Sequence, residues 1–188
     1  MNKYYFEGKT QEQAVNLALY ELNISEEDLI VNNVEDKSSL LKKNVKIEAL
    51  NIKEIVSFIK DTLNKITELM GAKSNFEVKR REKSISVTIF SENNAILIGK
   101  NGKNVVALQL LIRQMVNSKL KEPLSIIIDV GNYKEKRARS IEYLAKKLAR
   151  EAYKTKTEVT MDSMNSYERR IVHEVLADDK YVYTESIW

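Results

Sequence analysis

Apolar and polar positions along this chain switch between two periods, and the switches mark its elements. Tyr4-Tyr5-Phe6 is a short β-prone run that ends at Gly8. Thr10 then stands where a helix cap is expected, and Ala14, Val15, Ala18, Leu19 and Leu22 recur at helical spacing, predicting a helix over Gln11–Leu22. Leu29-Ile30-Val31 and Val45-Lys46-Ile47 read as strands on either side of a polar, basic connection from Glu35 to Asn44. Residues 1–49 therefore predict a small β-α-β-β unit, which alone buries only a modest core.

Ile52, Ile55, Val56, Ile59, Leu63, Ile66 and Leu69-Met70 form the next helical stripe, stopped by Gly71. Phe76 to Arg80 and Ser84 to Phe90 alternate around the charged turn Arg81-Glu82-Lys83, the pattern of a β-hairpin. Ala95-Ile96-Leu97-Ile98 leads into a pair of glycines. A strongly apolar helix follows from about Lys103 to Ser118, ending before Pro123. Leu124 to Val130 reads as a central strand. A long amphipathic helix begins at Asn132 and runs to about Tyr153, with Ala138, Ile141, Ala145, Leu148 and Ala152 on its apolar side. The last section predicts strand (Glu158–Met161), helix (Asn165–Leu176) and strand (Tyr181–Thr184). The whole is an α+β chain of three small modules: residues 1–50, residues 51–131 with a linking helix over 132–155, and residues 156–188.

Composition narrows the classes. Over 188 residues, 43% are hydrophobic and 31% charged, the balance of a folded globular chain. Cysteine is absent, which excludes disulfides and thiolate metal sites and suits a reducing compartment. Met1 to Thr10 lacks the basic start and apolar run of a secretory signal, and the expectation is a cytoplasmic protein. The net charge of +4 hides a strong asymmetry. Residues 1–70 carry −3, 71–98 carry +2, 99–156 carry +9 and 157–188 carry −4. Positive charge gathered in one block is the footprint expected of a polyanion binder, although a solvated basic face has the same composition.

The block opens on Ile98-Gly99-Lys100-Asn101-Gly102-Lys103. Two glycines three apart at a helix start permit a tight turn with no Cβ in the way. The helix behind them offers unpaired N–H groups and partial positive charge, and Lys100 and Lys103 add full charges, so the site favours a phosphate backbone. A P-loop would need Gly-Lys-Ser/Thr and a Rossmann turn a third glycine with a later acidic residue, and neither is present. Helix, two strands, Gly-x-x-Gly, apolar helix and strand is the order of a type II KH domain, which clamps nucleic-acid backbone over that loop.

Ile98-Gly99-Lys100-Asn101-Gly102 with Ala107-Leu108-Gln109, then Ile128-Asp129-Val130, Tyr133-Lys134 and Arg137, resembles the bacterial Jag family, the SpoIIIJ-associated RNA-binding proteins. Met164-Asn165-Ser166-Tyr167-Glu168-Arg169-Arg170-Ile171-Val172-His173 and Tyr183-Thr184-Glu185-Ser186 resemble that family's Arg-x-x-x-His (R-three-H) domain, and Glu7-Gly8-Lys9-Thr10 with Ala14 its N-terminal Jag domain. The resemblance implies a cytoplasmic, non-catalytic protein that binds single-stranded RNA through both modules, with Arg169 and His173 meeting nucleic acid. It also implies a post-transcriptional role linked to cell elongation or division. Its implied partners are a small stand-alone KH protein and a membrane-protein insertase. Two departures stand out. The family's glycine-rich Lys-Gly-Phe-Leu-Gly segment is replaced by Lys37-Ser38-Ser39-Leu40-Leu41-Lys42-Lys43, and the chain stops at Trp188 where the family continues with strand residues. The last module is thus expected to lack part of its sheet or to be completed by another chain.

Other residues carry two readings each. Arg169 and His173 stand four apart and share a helix face, yet a lone helical histidine is also an ordinary packing residue. Lys136, Arg139, Lys146, Arg150 and Lys154 with Tyr143 either track phosphates or form a solvated face. Arg113 sits on the helix after the loop and can point to either side. Tyr4, Tyr5 and Phe6 suit the core of the small sheet better than a stacking platform. With no cysteine, one histidine and no metal-ligand spacing, an enzyme is not expected, nor is a cofactor, a metal or a small-molecule substrate. A homo-oligomer stays open, and so does the rival reading of a protein-interaction adaptor whose RNA contact is secondary.

Overall fold

The computed structural model describes residues 1–36, 44–81 and 83–187, so the Lys37–Lys43 departure from the Jag pattern lies outside the described residues, as do Glu82 and Trp188. The chain divides into two compact units, Met1–Gly131 and Asn132–Trp188.

The first unit opens with β1 (Tyr4–Gly8), α1 (Gln11–Leu22), β2 (Leu29–Asp36) and β3 (Val45–Asn51). The three strands make an antiparallel sheet in the order β1-β3-β2, with Phe6 opposite Ile47 and Tyr4 opposite Ala49. Thr10 Oγ1 accepts from the Gln13 N–H at 3.2 Å and starts α1. Ala14 and Ala18 then pack on Phe6, Ile47 and Ala49, their small side chains letting helix and sheet approach closely. Of the aromatic run, Phe6 is core, whereas Tyr5 stays exposed and donates its hydroxyl to Glu48 at 3.0 Å.

β3 passes into α2 (Ile52–Leu69) without a linker: Asn51 caps the helix by accepting from the Lys53 N–H at 2.9 Å. Then come β4 (Ser74–Arg81), β5 (Ser84–Ser91), α3 (Asn94–Ile98), a 3-10 turn at Lys100–Gly102, α4 (Lys103–Asn117) and β6 (Ser125–Val130). β4 and β5 form the expected hairpin, and β6 joins β5 in parallel, giving the order β4-β5-β6. The strand expected to be central is therefore an edge strand. Its residues are buried alternately, Ile126, Ile128 and Val130 inward with Ile127 out, as a strand with only one covered face requires. Gln109 on α4 accepts the Ile128 N–H at 3.1 Å. The core gathers Ile55, Ile59 and Leu63 of α2, Ile85, Val87 and Ile89 of β5, and Leu108, Ile112 and Val116 of α4. By length and apolar content, Asn94–Asn117 would pass for a membrane span, but its backbone breaks at the glycine pair and α4 packs on β6.

Within this unit the small sheet and the following module are joined by polar contacts. Asp28, only 2% exposed, accepts from Lys53 Nζ at 2.6 Å, from Ser25 Oγ at 3.0 Å and from Arg80. Asn32 accepts the Lys121 N–H at 2.7 Å and donates to the Lys119 carbonyl at 3.3 Å.

The second unit is α5 (Tyr133–Thr155) and α6 (Ser166–Leu176) with extended segments around them. Ile141 and Ala145 of α5 pack on Ile171 and Val172 of α6, so the long helix is core to this unit. The two strands expected at Glu158–Met161 and Tyr181–Thr184 are not formed: neither run pairs in a β-ladder with another among the described residues. β-prone composition makes an extended chain, but a strand needs a ladder partner. Here side chains hold the extended runs instead.

Candidate nucleic-acid interface

Three of the four residues in the Gly-x-x-Gly loop have positive φ. Gly99 has φ +69°, Asn101 φ +54° and Gly102 φ +77°. Asparagine tolerates that conformation better than most side chains, which suits its place between the glycines. Gly99 is required for a second reason: a Cβ there would meet Asn104 Cγ at 2.5 Å. Asn104 braces the turn from the first turn of α4 by donating Nδ2–H to the Ile96 carbonyl at 2.7 Å, and the Gly99 N–H closes α3 on the Ala95 carbonyl at 2.9 Å.

The start of α4 has Gly102 as its cap and no side chain accepting its first N–H groups. A fifteen-residue helix thus points the positive end of its dipole toward the loop; the Lys103 N–H turns back to the Lys100 carbonyl, and no side chain accepts from the N–H groups of the first turn. Lys100, Asn101 and Lys103 are exposed at its rim, while Gly102 is buried and Ile98 half-buried. Along α4 the exposed face continues from Lys103 through Val106 and Leu110 to Arg113. Arg113, undecided on sequence grounds, is therefore a solvent-facing cation about 15 Å from Lys103 on the same face. Such a face places charge for phosphates beside apolar surface for bases.

In the second unit, α5 exposes Lys136, Arg139, Tyr143, Lys146, Lys147, Arg150 and Lys154. Arg139 is tied to Glu135 at 2.5 Å, whereas Lys136, Lys146, Arg150 and Lys154 have no ion partner among the described residues. Arg137 is not part of that surface. It donates from Nε to Glu168 at 2.7 Å, and Glu168 also closes a capping box with Asn165 at the start of α6.

Arg169 and His173 do share a face of α6, and both are engaged within the fold. Arg169 donates to the Met164 carbonyl at 3.3 Å. His173 bonds through Nδ1 to Thr184 Oγ1 at 2.6 Å and through Nε2 to Ser186 Oγ at 3.1 Å. The ring thereby clamps the extended run after α6, and the two hydroxyls suit either tautomer because each can donate or accept. Sequence reasoning missed this clamp, as it missed the Asn104 brace and the Glu168–Arg137 pair. The signals present were the Thr-x-Ser spacing at 184–186 and the Asn-x-x-Glu capping box at 165–168.

An α-β-β-α-α-β module with a glycine-paired loop at an uncapped helix, followed by a helical unit bearing Arg-x-x-x-His, defines a class of chains that join these modules. Consistent with this, the Jag N-terminus matches residues 6–50, the KH domain 54–137 and the R-three-H domain 139–187. The chain is 34% identical over 191 residues to RNA-binding protein KhpB of Clostridium symbiosum, covering 95% of this chain and 83% of that one. Against RNA-binding protein KhpB of Bacillus subtilis (strain 168) it is 28% identical over 175 residues, covering 90% and 84%. Against the protein of that name in Lactiplantibacillus plantarum it is 30% identical over 126 residues, covering 67% and 39%. The chain belongs to the Jag family.

Proposed function

We propose that this chain is a non-catalytic RNA-binding protein that grips the backbone of single-stranded RNA at Gly99–Gly102. The observation that carries the reading is the uncapped start of α4 beneath a loop held open by three positive φ angles and rimmed by Lys100 and Lys103. Backbone N–H donors at a helix N-terminus, close approach over glycine and two lysines together suit a phosphodiester, and the relatives named for RNA binding agree with it. Arg113 extends the contact along α4. The α5 cations Lys136, Lys146, Arg150 and Lys154 reinforce it in the second unit. Arg169 adds the charge of a guanidinium on the same helix face, while His173, both ring nitrogens already bonded to hydroxyls, shapes the surface beside it. A cytoplasmic, post-transcriptional role linked to cell elongation or division, with a small KH protein as partner, completes the reading on family likeness alone.

The test is fluorescence anisotropy with a short single-stranded RNA, comparing the natural chain with Lys100→Asp/Asn101→Asp at low and near-physiological salt. Circular dichroism checks that both are folded. The expected outcome is a loss of tenfold or more in affinity together with a shallower dependence on salt, because fewer phosphates are neutralised (about tenfold per 1.4 kcal/mol). Unchanged affinity in a folded variant would displace the loop as the anchor and favour an adaptor that docks proteins, an insertase among them.

A further inference from the structure

The basic face of α5 runs into an aromatic feature that the reading above leaves unused. Tyr153, in the last turn of α5, is 44% exposed, and the Tyr181 ring lies 4.7 Å from it, centroid to centroid, tilted by 43°. Tyr181 is 70% exposed. Lys156 Nζ stands 4.0 Å from the Tyr153 centroid, brought back over the ring by the left-handed turn that ends the helix (φ +58°). On the other side, the Tyr181 N–H donates to Asp179 Oδ1 at 2.9 Å and sets the turn that presents the ring. Two rings from separate segments thus lie against each other, with Tyr181 largely open to water and Tyr153 partly covered by its neighbours. An aromatic pair that served only as core would be covered on both members; here Tyr181 is not.

Sites for single-stranded nucleic acid combine a cationic track with aromatic platforms, because every base has a π-face and the sugar-phosphate chain is anionic everywhere. Here the track is Lys136, Lys147, Arg150 and Lys154, and the rings stand at its C-terminal end. We propose that Tyr181, backed by Tyr153, is a stacking site for one base of a bound single-stranded RNA, with Lys156 turned to the adjoining phosphate. Asp178 and Asp179 sit just before Tyr181, so the platform contributes through stacking, and the charge comes from the α5 side. The proposal rests on the reading that the chain binds single-stranded RNA.

The experiment uses the full chain and two oligomers of about ten nucleotides and equal charge, one ordinary RNA and one whose bases are removed to leave abasic ribose phosphate. Tyr153→Leu/Tyr181→Leu keeps the apolar contact between the segments and removes the π-faces. It is expected to weaken the ordinary RNA by about fivefold or more, to leave the abasic oligomer unchanged, and to keep the salt slope. Tyr153→Phe/Tyr181→Phe is expected to bind both as the natural chain does. Equal weakening of both oligomers would overturn the proposal by showing that the rings only pin the tail. No weakening, with natural affinity intact, would overturn it too while leaving the RNA reading standing. Failure of the natural chain to bind ordinary RNA would bring down that reading and the stacking site together.

Discussion

Replacing Asp28 with asparagine changes one charge and almost nothing in shape, at the point where the N-terminal sheet is tied to the KH module. In the native fold the carboxylate is held to about 2 from an ordinary 3.8, first by the hydrogen bond from Lys53, then by Arg80 and Ser25, against the opposing effect of burial. At 1.36 kcal/mol per unit, that difference corresponds to roughly 2 kcal/mol of folding stability. The folded value lies below the unfolded one, so this contribution is whole above about pH 4 and is lost as pH falls toward about 2. Lys53 keeps 65% of its side chain exposed and Arg80 29%, so both regain water when unpaired. The cost of Asp28→Asn should therefore stay near 2 kcal/mol rather than reach the roughly 3–5 of a sealed broken pair. Urea unfolding followed by circular dichroism, on both proteins from neutral pH down to about pH 2.5, measures it. The expected result is a variant less stable by about 2 kcal/mol at neutral pH, with the gap narrowing below about pH 4. A gap that persists unchanged to the lowest pH would refute the electrostatic account, and so would no gap at neutral pH.

Gly99→Ala places a Cβ against Asn104 at a φ of +69°, and is expected to cost about 1–3 kcal/mol and to weaken RNA binding by disturbing the brace to Ile96. A thermal midpoint and an affinity both equal to those of the natural chain would contradict it. Glu168→Gln leaves the half-buried Arg137 without its counter-charge and weakens the capping box, with an expected loss of about 2–3 kcal/mol in the C-terminal unit. Glu174→Gln, whose pair with Arg170 is exposed, should cost under about 0.5 kcal/mol in the same urea assay, and equal costs would sink the distinction.

Much of the fold was legible because it follows from local periodicity. The α2 stripe from Ile52 to Leu63, the β4–β5 hairpin and the Thr10 cap stand where spacing put them, since burial on one face leaves its period in the sequence, although Leu69 at the end of that stripe is exposed. The Gly99–Gly102 turn was legible for a related reason: a backbone that needs positive φ selects glycine and asparagine. Where the reading went astray, it did so over pairing. The run Ser125–Val130 is β-rich whether central or at an edge, and Tyr181–Thr184 is β-prone whether or not a ladder partner exists. Strand neighbours are a property of the whole sheet, not of the segment.

The site divides along the same line. By itself the sequence determined the Gly99–Gly102 turn and the shared face of Arg169 and His173, which depend on neighbours within a few residues, and the basic block at 99–156, which is a matter of composition. Tertiary structure alone decided which polar side chains are left for a ligand. Arg113 turned outward and Arg137 inward onto Glu168. His173 spent its two ring nitrogens on hydroxyls eleven and thirteen residues away, Asp28 found Arg80 across fifty-two, and Tyr181 came to rest on Tyr153. A donor or a ring carries no mark in the sequence of the partner it will meet. That choice is made only when packing brings distant segments together, and packing answers to shape and burial over the whole unit rather than to any local pattern.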